Sequence, residues 1–417
     1  MSVLKGNAIV GQSGGPTAAI NATLSGVIRG AIANENIGTL YGAYNGVEGM
    51  LAGTWCDLSA MFSDPAKLTT LEKTPAAALG SCRKKLPKLD GSDQKADEVY
   101  GKLFDFFRSL DIRYFFYIGG NDSMDTVAKL SAYAAKHDYR IRVMGVPKTI
   151  DNDVMGTDHT PGYGSAAKYI AASMEEIIRD CAVYTVKAVT IVEIMGRDAG
   201  WLTAAAALAR NGYNTAPHLI YLPEVAFDPE DFLLDVKRLL FERNNVIVAV
   251  SEGIRDASGN YISASEQSID TFGHSQLSGA GKTLEFLVKE KLGVKVRSVE
   301  INVLQRCAAH LASQTDLGES FALGKKAVAL SEEGVTASMV TIERTSNAPY
   351  TVDYSYAEIR QIANEAKSVP REWINSAGND IEQPLLDYLA PLILGESQVS
   401  YHNGLPVYMD VSHLSKH

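Results

Sequence analysis

At 417 residues the chain is long enough for two domains with sizeable cores, and its 46% hydrophobic content is ordinary for a globular α/β protein. A net charge of −10 argues against non-specific nucleic-acid binding, and the longest run of small apolar residues, Thr203 to Ala209, is too short to cross a bilayer. The four scattered cysteines lack metal-ligand spacing and no signal peptide opens the chain, so reduced thiols in a cytoplasmic protein are expected.

The first strand-like run, Ala8 to Val10, passes through Gly14-Gly15 into a helical pattern, which aims backbone N–H groups of a helix start at a bound anion. Its glycine spacing fits neither a P-loop nor a dinucleotide fingerprint, which sets a nicotinamide dehydrogenase aside. A second strand, Tyr114 to Ile118, is followed by Gly119-Gly120-Asn121-Asp122-Ser123. Glycines there let the backbone approach a ligand, and Asp122 is suited to hold a hard cation such as Mg²⁺; the plainer alternative is that Asp122 or Ser123 caps the next helix.

The third strand, Ile141 to Val146, leads into Pro147-Lys148-Thr149-Ile150-Asp151-Asn152-Asp153. One lysine and two carboxylates at the carboxyl end of a buried parallel strand point to chemistry on a phosphate. Lys148 would serve as a point charge for phosphoryl oxygens and Asp151 as acceptor of a hydroxyl proton, against the alternative of an ordinary Asp-Asn-Asp turn. Strands Ala188 to Ile194, His218 to Leu222, Val246 to Val250 and Val296 to Val303 then alternate with helices such as Tyr163 to Asp180 and Pro229 to Glu242. Such alternation predicts an α/β fold with mainly parallel sheets and right-handed crossovers.

Further landmarks fall in a fixed order: Ser13-Gly14-Gly15, Leu79-Gly80-Ser81-Cys82-Arg83, Gly119 to Ser123, Thr149 to Asp153, Gly156-Thr157-Asp158, Val192 to Arg197, Ser251-Glu252-Gly253, and Arg297 ahead of Gln305-Arg306. In these motifs, over roughly residues 6 to 342, the chain resembles the phosphofructokinase family, which includes ATP-dependent and pyrophosphate-dependent enzymes. The resemblance implies two Rossmann-like three-layer domains with the active site in the cleft between them. It places a donor-binding domain at 1–160, a sugar-phosphate domain at 161–304, and a return to the first domain plus a C-terminal extension at 305–417. Residues from Thr345 onward read as packing or oligomer surface.

The implied reaction carries a phosphoryl group to the 1-hydroxyl of fructose 6-phosphate, a glycolytic or gluconeogenic step, with Mg²⁺, in a homodimer. By resemblance Asp151 is the base, Asp153 a second acid that supports that site or the metal, and Thr149 and Ile150 sugar contacts. Gly14, Gly15 and Arg83 fall on the donor side; Met195, Gly196 and Arg197 line the sugar and steady the transferring group. Glu252 bonds sugar hydroxyls, and Arg297 and Arg306 grip the 6-phosphate. The cations together imply a basic cleft in an acidic protein.

ATP-dependent relatives usually carry glycine at the positions of Asp122 and Lys148. An aspartate there opposes an α-phosphate by about 4 kcal/mol for unit charges ~4 Å apart at an effective dielectric near 20. Lys148 adds a charge for pyrophosphate, so the pair marks the pyrophosphate-dependent branch. The alternatives are an ATP-dependent enzyme or a catalytically inactive sugar-phosphate-binding subunit, and sedoheptulose 7-phosphate is an alternative acceptor. Departures from the pattern are Asn121 for an expected aspartate, Val303 for a histidine or tyrosine, and Ala188 beside Lys187 for an arginine donated across subunits; His310 and Asp316 are candidates to compensate.

Overall fold

Two main sheets organise the computed structural model, which describes residues 4–89, 95–263, 268–269, 275–276, 279–362 and 365–411. In spatial order the first contains β13 (Tyr350–Glu358), β12 (Ser338–Asn347), β5 (Arg142–Pro147), β4 (Ile112–Gly119), β1 (Gly6–Gln12), β2 (Ile37–Ala43) and β3 (Trp55–Asp57). The inner strands are parallel, while β3 and β13 pair antiparallel at the edges. Tyr114, Phe115, Phe116, Tyr117 and Ile118 are all buried, the continuous apolar run expected of a strand covered on both faces.

The second sheet, in the order β11 (Lys295–Glu300), β6 (Ala188–Ile194), β8 (Asn245–Ser251), β7 (Leu219–Tyr221), is parallel throughout. A two-residue pair, β9 (Ser268–Ile269) and β10 (Ser275–Gln276), lies outside it. Helices α1 (Ile20–Ile32), α2 (Asn121–Lys136), α3 (Tyr163–Ala182), α4 (Pro229–Glu242), α5 (Ala280–Leu292) and α6 (Gln314–Glu332) supply the outer layers. Around the first sheet, α1 and α6 close one core and α2 the other; around the second, α3 closes one core and α4 with α5 the other.

Helices α1 and α6 meet backbone to backbone. A Cβ on Gly26 would stand 2.0 Å from the Phe321 carbonyl oxygen, and one on Gly324 2.2 Å from that of Thr23, so the crossing admits only glycine.

β1 is bracketed by β2 on one side and β4 on the other, so the chain leaves it in opposite directions. The crevice beyond the carboxyl ends of β1 and β4 is therefore a topological switch point, where open α/β sheets bind ligands.

The predicted strands and helices all appear, with small shifts at their ends. The strand expected to reach Val303 stops at Glu300, because Asn302 turns into the left-handed region (φ 49) and a short helix, Leu304–Cys307, begins. Part of the C-terminal segment packs inside the molecule, with Val369, Ile374, Ile381, Leu385, Leu389 and Leu392 buried in the α3 core of the second sheet, while Leu394, Tyr401 and Leu405 are exposed.

Candidate active site

Each loop of the site is placed by buried polar side chains. At the end of β1, Gln12 accepts from the Leu79 backbone N–H at 2.8 Å through Oε1 and donates to Asn21 through Nε2 at 3.0 Å. Ser13 Oγ donates to the Cys82 carbonyl at 3.1 Å, and Ser81 Oγ donates to that of Gly14 at 2.6 Å. The segment carrying Arg83 is thus stitched to the Gly14-Gly15 turn. Gly14 takes φ 77, and a Cβ there would sit 3.1 Å from Lys148 Nζ, so this glycine makes room for the lysine.

After β4 the chain enters α2 directly, and no side chain caps that helix. The capping alternative for Asp122 and Ser123 therefore fails, and the Asp122 carboxylate faces the crevice with Lys85 Nζ 3.2 Å away. Lys148 Nζ is buried and donates to the Gly15 carbonyl at 2.7 Å, joining the β5 and β1 loops. Asp151 receives a hydrogen bond from Thr149 Oγ1 at 3.3 Å, and that same hydroxyl accepts from the Asp151 N–H at 3.1 Å.

The second sheet supplies the facing wall. The Gly196 N–H donates to Glu252 Oε1 at 3.3 Å, and Gln305 Oε1 accepts from the Met195 N–H at 3.3 Å. Arg197 pairs with Asp198 at 2.7 Å, and Asp198 is held in turn by Arg255 at 2.6 Å. Between the walls lies a cavity of about 300 Å³ bordered by Gly14, Gly15, Arg83, Asp122, Lys148, Thr149, Ile150, Asp151, Asp153, Met195, Arg197, Glu252 and Arg306, together with Thr17, Asn121 and Asp198.

Burial dominates the electrostatics of this cavity. It raises the Asp151 carboxyl, with the Thr149 hydrogen bond and the Lys148 charge opposing. Asp153 is pushed up to about 7 by burial and then by Asp151, and Glu252 to about 8 by the same two causes. Lys148 is pushed down to about 8 by burial, although Asp151 and Asp153 favour its charge. Asp153 and Glu252 thus hold protons close to neutrality.

A family model described as phosphofructokinase matches residues 7–330. The chain belongs to the phosphofructokinase family. It is 42% identical over 416 residues to pyrophosphate–fructose 6-phosphate 1-phosphotransferase of Halomonas elongata, covering 99% of this chain and 96% of the relative. Against the enzyme of the same name from Xanthomonas campestris pv. campestris the identity is 42% over 413 residues, with 98% and 97% covered. A crystal structure of pyrophosphate-dependent phosphofructokinase from Nitrosospira multiformis superposes with a TM-score of 0.87 at 38% identity, covering 97% of this chain and 96% of that one.

Within this phosphofructokinase fold, the site residues expected from the sequence converge on one cavity, with exceptions. Gly196 does not line it and reaches it only through Glu252, to which its N–H donates. Arg297 stands on the edge strand β11, ion-paired with Asp180 at 3.1 Å, and does not border the cavity of its own chain. Asp316 is no phosphate-site residue: it is buried and accepts from the Gly162 and Ser165 N–H groups at 2.9 and 3.0 Å at the start of α3. His310 is exposed and absent from the cavity lining. Nor is the cleft simply basic, because Asp122, Asp151, Asp153, Asp198 and Glu252 share it with the cations. Sequence reasoning overlooked Asp198, Lys85 and Thr17; a signal existed only for the first two, as neighbours of Arg197 and Arg83.

Proposed function

We propose that this chain transfers a phosphoryl group from pyrophosphate to the 1-hydroxyl of fructose 6-phosphate, giving fructose 1,6-bisphosphate and phosphate, in the cytoplasm and in either direction. The observation that carries the choice of donor is that Asp122 and Lys148 face one cavity, each in place of a glycine usual in ATP-dependent relatives. Lys148 supplies a buried cation within reach of a small dianionic donor. Asp122 fills and charges the space that a nucleoside's α-phosphate would need; Lys85 at 3.2 Å moderates that repulsion without removing it.

In this reading the first sheet forms the donor-binding half and the second the sugar-phosphate half. The Gly14-Gly15 turn, the free N–H groups at the start of α2, Arg83 and Lys148 cradle pyrophosphate. Glu252, Met195, Gly196 and Arg197 hold the sugar, Thr149 and Ile150 flank it, and Arg306 takes the 6-phosphate. Asp151 accepts the proton of the attacking 1-hydroxyl, a task favoured by burial, which raises the carboxyl's affinity for a proton. Alignment and charge neutralisation by these groups account for most of the catalysis expected in phosphoryl transfer.

Enzymes of this family generally use a divalent metal, and Mg²⁺ fits the donor set. Asn121 Oδ1 is buried without a hydrogen-bond partner among the described residues, beside the Asp122 carboxylate. No cluster of three His, Cys, Asp or Glu able to hold a metal occurs among them either. A hard cation held by few protein oxygens, with substrate phosphates and water completing its shell, is the usual Mg²⁺ arrangement. When bound, it would neutralise charge on the transferring phosphate.

A homodimer belongs to the same proposal. Arg297 can grip a 6-phosphate from β11 only in a neighbouring copy, and the exposed Val183, Tyr184 and Val186 next to this edge offer an association surface. Initial rates with fructose 6-phosphate and Mg²⁺, run in parallel with pyrophosphate and ATP, test the reading. Turnover with pyrophosphate alone supports it; ATP alone would overturn the donor argument, and silence with both would overturn the activity. A sedimentation mass of one chain would remove the dimer.

A further inference from the structure

The segment that follows β13 returns to the rear of the catalytic loop. Its Ala366 bridges Val154 in antiparallel fashion, and the Lys367 N–H donates to the Asp153 carbonyl at 2.8 Å. The Lys367 ammonium then reaches past the backbone to the turn beyond: it donates to the Asp158 carbonyl at 2.6 Å, to that of Thr157 at 3.2 Å and to Asn152 Oδ1 at 3.5 Å. Trp201 fixes the lysine in place, donating from Nε1 to its carbonyl at 2.9 Å with the ammonium 5.2 Å from the ring centre.

Asn152 needs such support. It lies between Asp151 and Asp153 in a left-handed conformation (φ 55), fully buried, with Nδ2 donating to Tyr388 Oη at 2.9 Å and Oδ1 accepting from Thr160 N–H at 3.1 Å. An asparagine so placed turns its two neighbours the same way, into the cavity. Lys367 touches neither the cavity nor its proposed substrates, yet every acceptor of its ammonium belongs to this loop.

We propose that Lys367 is a positioning residue of the active site, holding the 151–158 loop from behind. This rests on the function proposed above and assigns the C-terminal segment a part in it. Removing the ammonium takes the donor away from the Thr157 and Asp158 carbonyls and one donor from Asn152 Oδ1, so the loop that carries Asp151 and Asp153 loses its support from behind.

The test is steady-state kinetics of K367M and K367R, using whichever donor the unaltered chain turns over. K367M is expected to lose about tenfold or more in kcat with both KM values within about threefold, as for a displaced rather than a missing group. K367R, whose planar guanidinium can still donate to part of this acceptor set, should lose kcat by a smaller factor, again with KM little changed. A folded K367M with unaltered kcat overturns the proposal. So does a K367M that unfolds while K367R loses Tm without any change in kcat, since the lysine would then only staple the fold. Failure of the donor reading shows instead in the unaltered chain, as turnover with ATP and none with pyrophosphate.

Discussion

Lys148 Nζ lies 2.7 Å from the Gly15 carbonyl oxygen, so the cation proposed to receive pyrophosphate also bolts two loops of the switch point together. Its burial lowers its proton affinity to about 8, which leaves the ammonium fully formed only below that pH. Pyrophosphate affinity, measured by calorimetry from about pH 6.5 to 9.5, should hold at the low end and fall above about 8. K148R keeps its charge throughout and should flatten that fall; an equally steep loss in K148R would place the titrating group elsewhere.

Exchanging both donor-side residues should change the donor. D122G/K148G removes the charge that opposes an α-phosphate and the cation that substitutes for nucleoside binding. Its kcat/KM for pyrophosphate should fall by about 100-fold or more, each 1.4 kcal/mol of lost binding being about tenfold, while ATP turnover becomes measurable. Unchanged pyrophosphate kinetics in the double variant would sink the donor argument.

Asp151→Asn should lower kcat by about 10²–10⁴ and leave fructose 6-phosphate binding within a few-fold, because the amide keeps the shape of the carboxyl but accepts no proton. Rapid-quench measurement of the chemical step, with sugar binding followed separately, distinguishes this from a binding defect.

Asp153→Asn should stabilise the unliganded protein at pH 8. An unfolded aspartate ionises near pH 4, whereas folded Asp153 keeps its proton to about 7. The Asp153 contribution to stability is therefore fully present below pH ~4, falls as pH rises through this window, and is lost, by a few kcal/mol, above it. The asparagine variant escapes that loss, so its Tm should exceed the parent's at pH 8 and converge on it near pH 4. Equal differences at both pH values would mean that the effect is not ionisation.

Gly26→Ala should cost about 1–3 kcal/mol, because the new methyl meets the Phe321 carbonyl, a backbone atom that only a helix shift can clear. Denaturant melting would register the loss, with kcat/KM little changed at temperatures where the variant is folded.

Much of this arrangement was legible in the chain itself. Apolar runs such as Tyr114 to Ile118 announce buried parallel strands, and the glycines and charges after β1, β4 and β5 sit where such sheets bind ligands. Arg297 was misplaced because chain order cannot tell which face of an edge strand meets which cavity. Asp316 was misread because a carboxylate bonded to two helix-start N–H groups has the same letter as one that meets a substrate. Lys367 left no local mark at all: its partners, Asn152 to Asp158, lie some two hundred positions away and meet it only through tertiary packing.

The sheet order also governs how the chain emerges during synthesis. β5 ends at Pro147, but its neighbour β12 begins only at Ser338, and the whole second sheet is made in between. At about 5–20 residues per second, the flank of β5 waits roughly 10–40 s for its partner. For that interval the nascent chain presents an unpaired, apolar strand edge with α6 still missing from the layer above it. Nascent-chain aggregation and chaperone demand should therefore peak while ribosomes traverse the second sheet, and recede once β12 has left the exit tunnel.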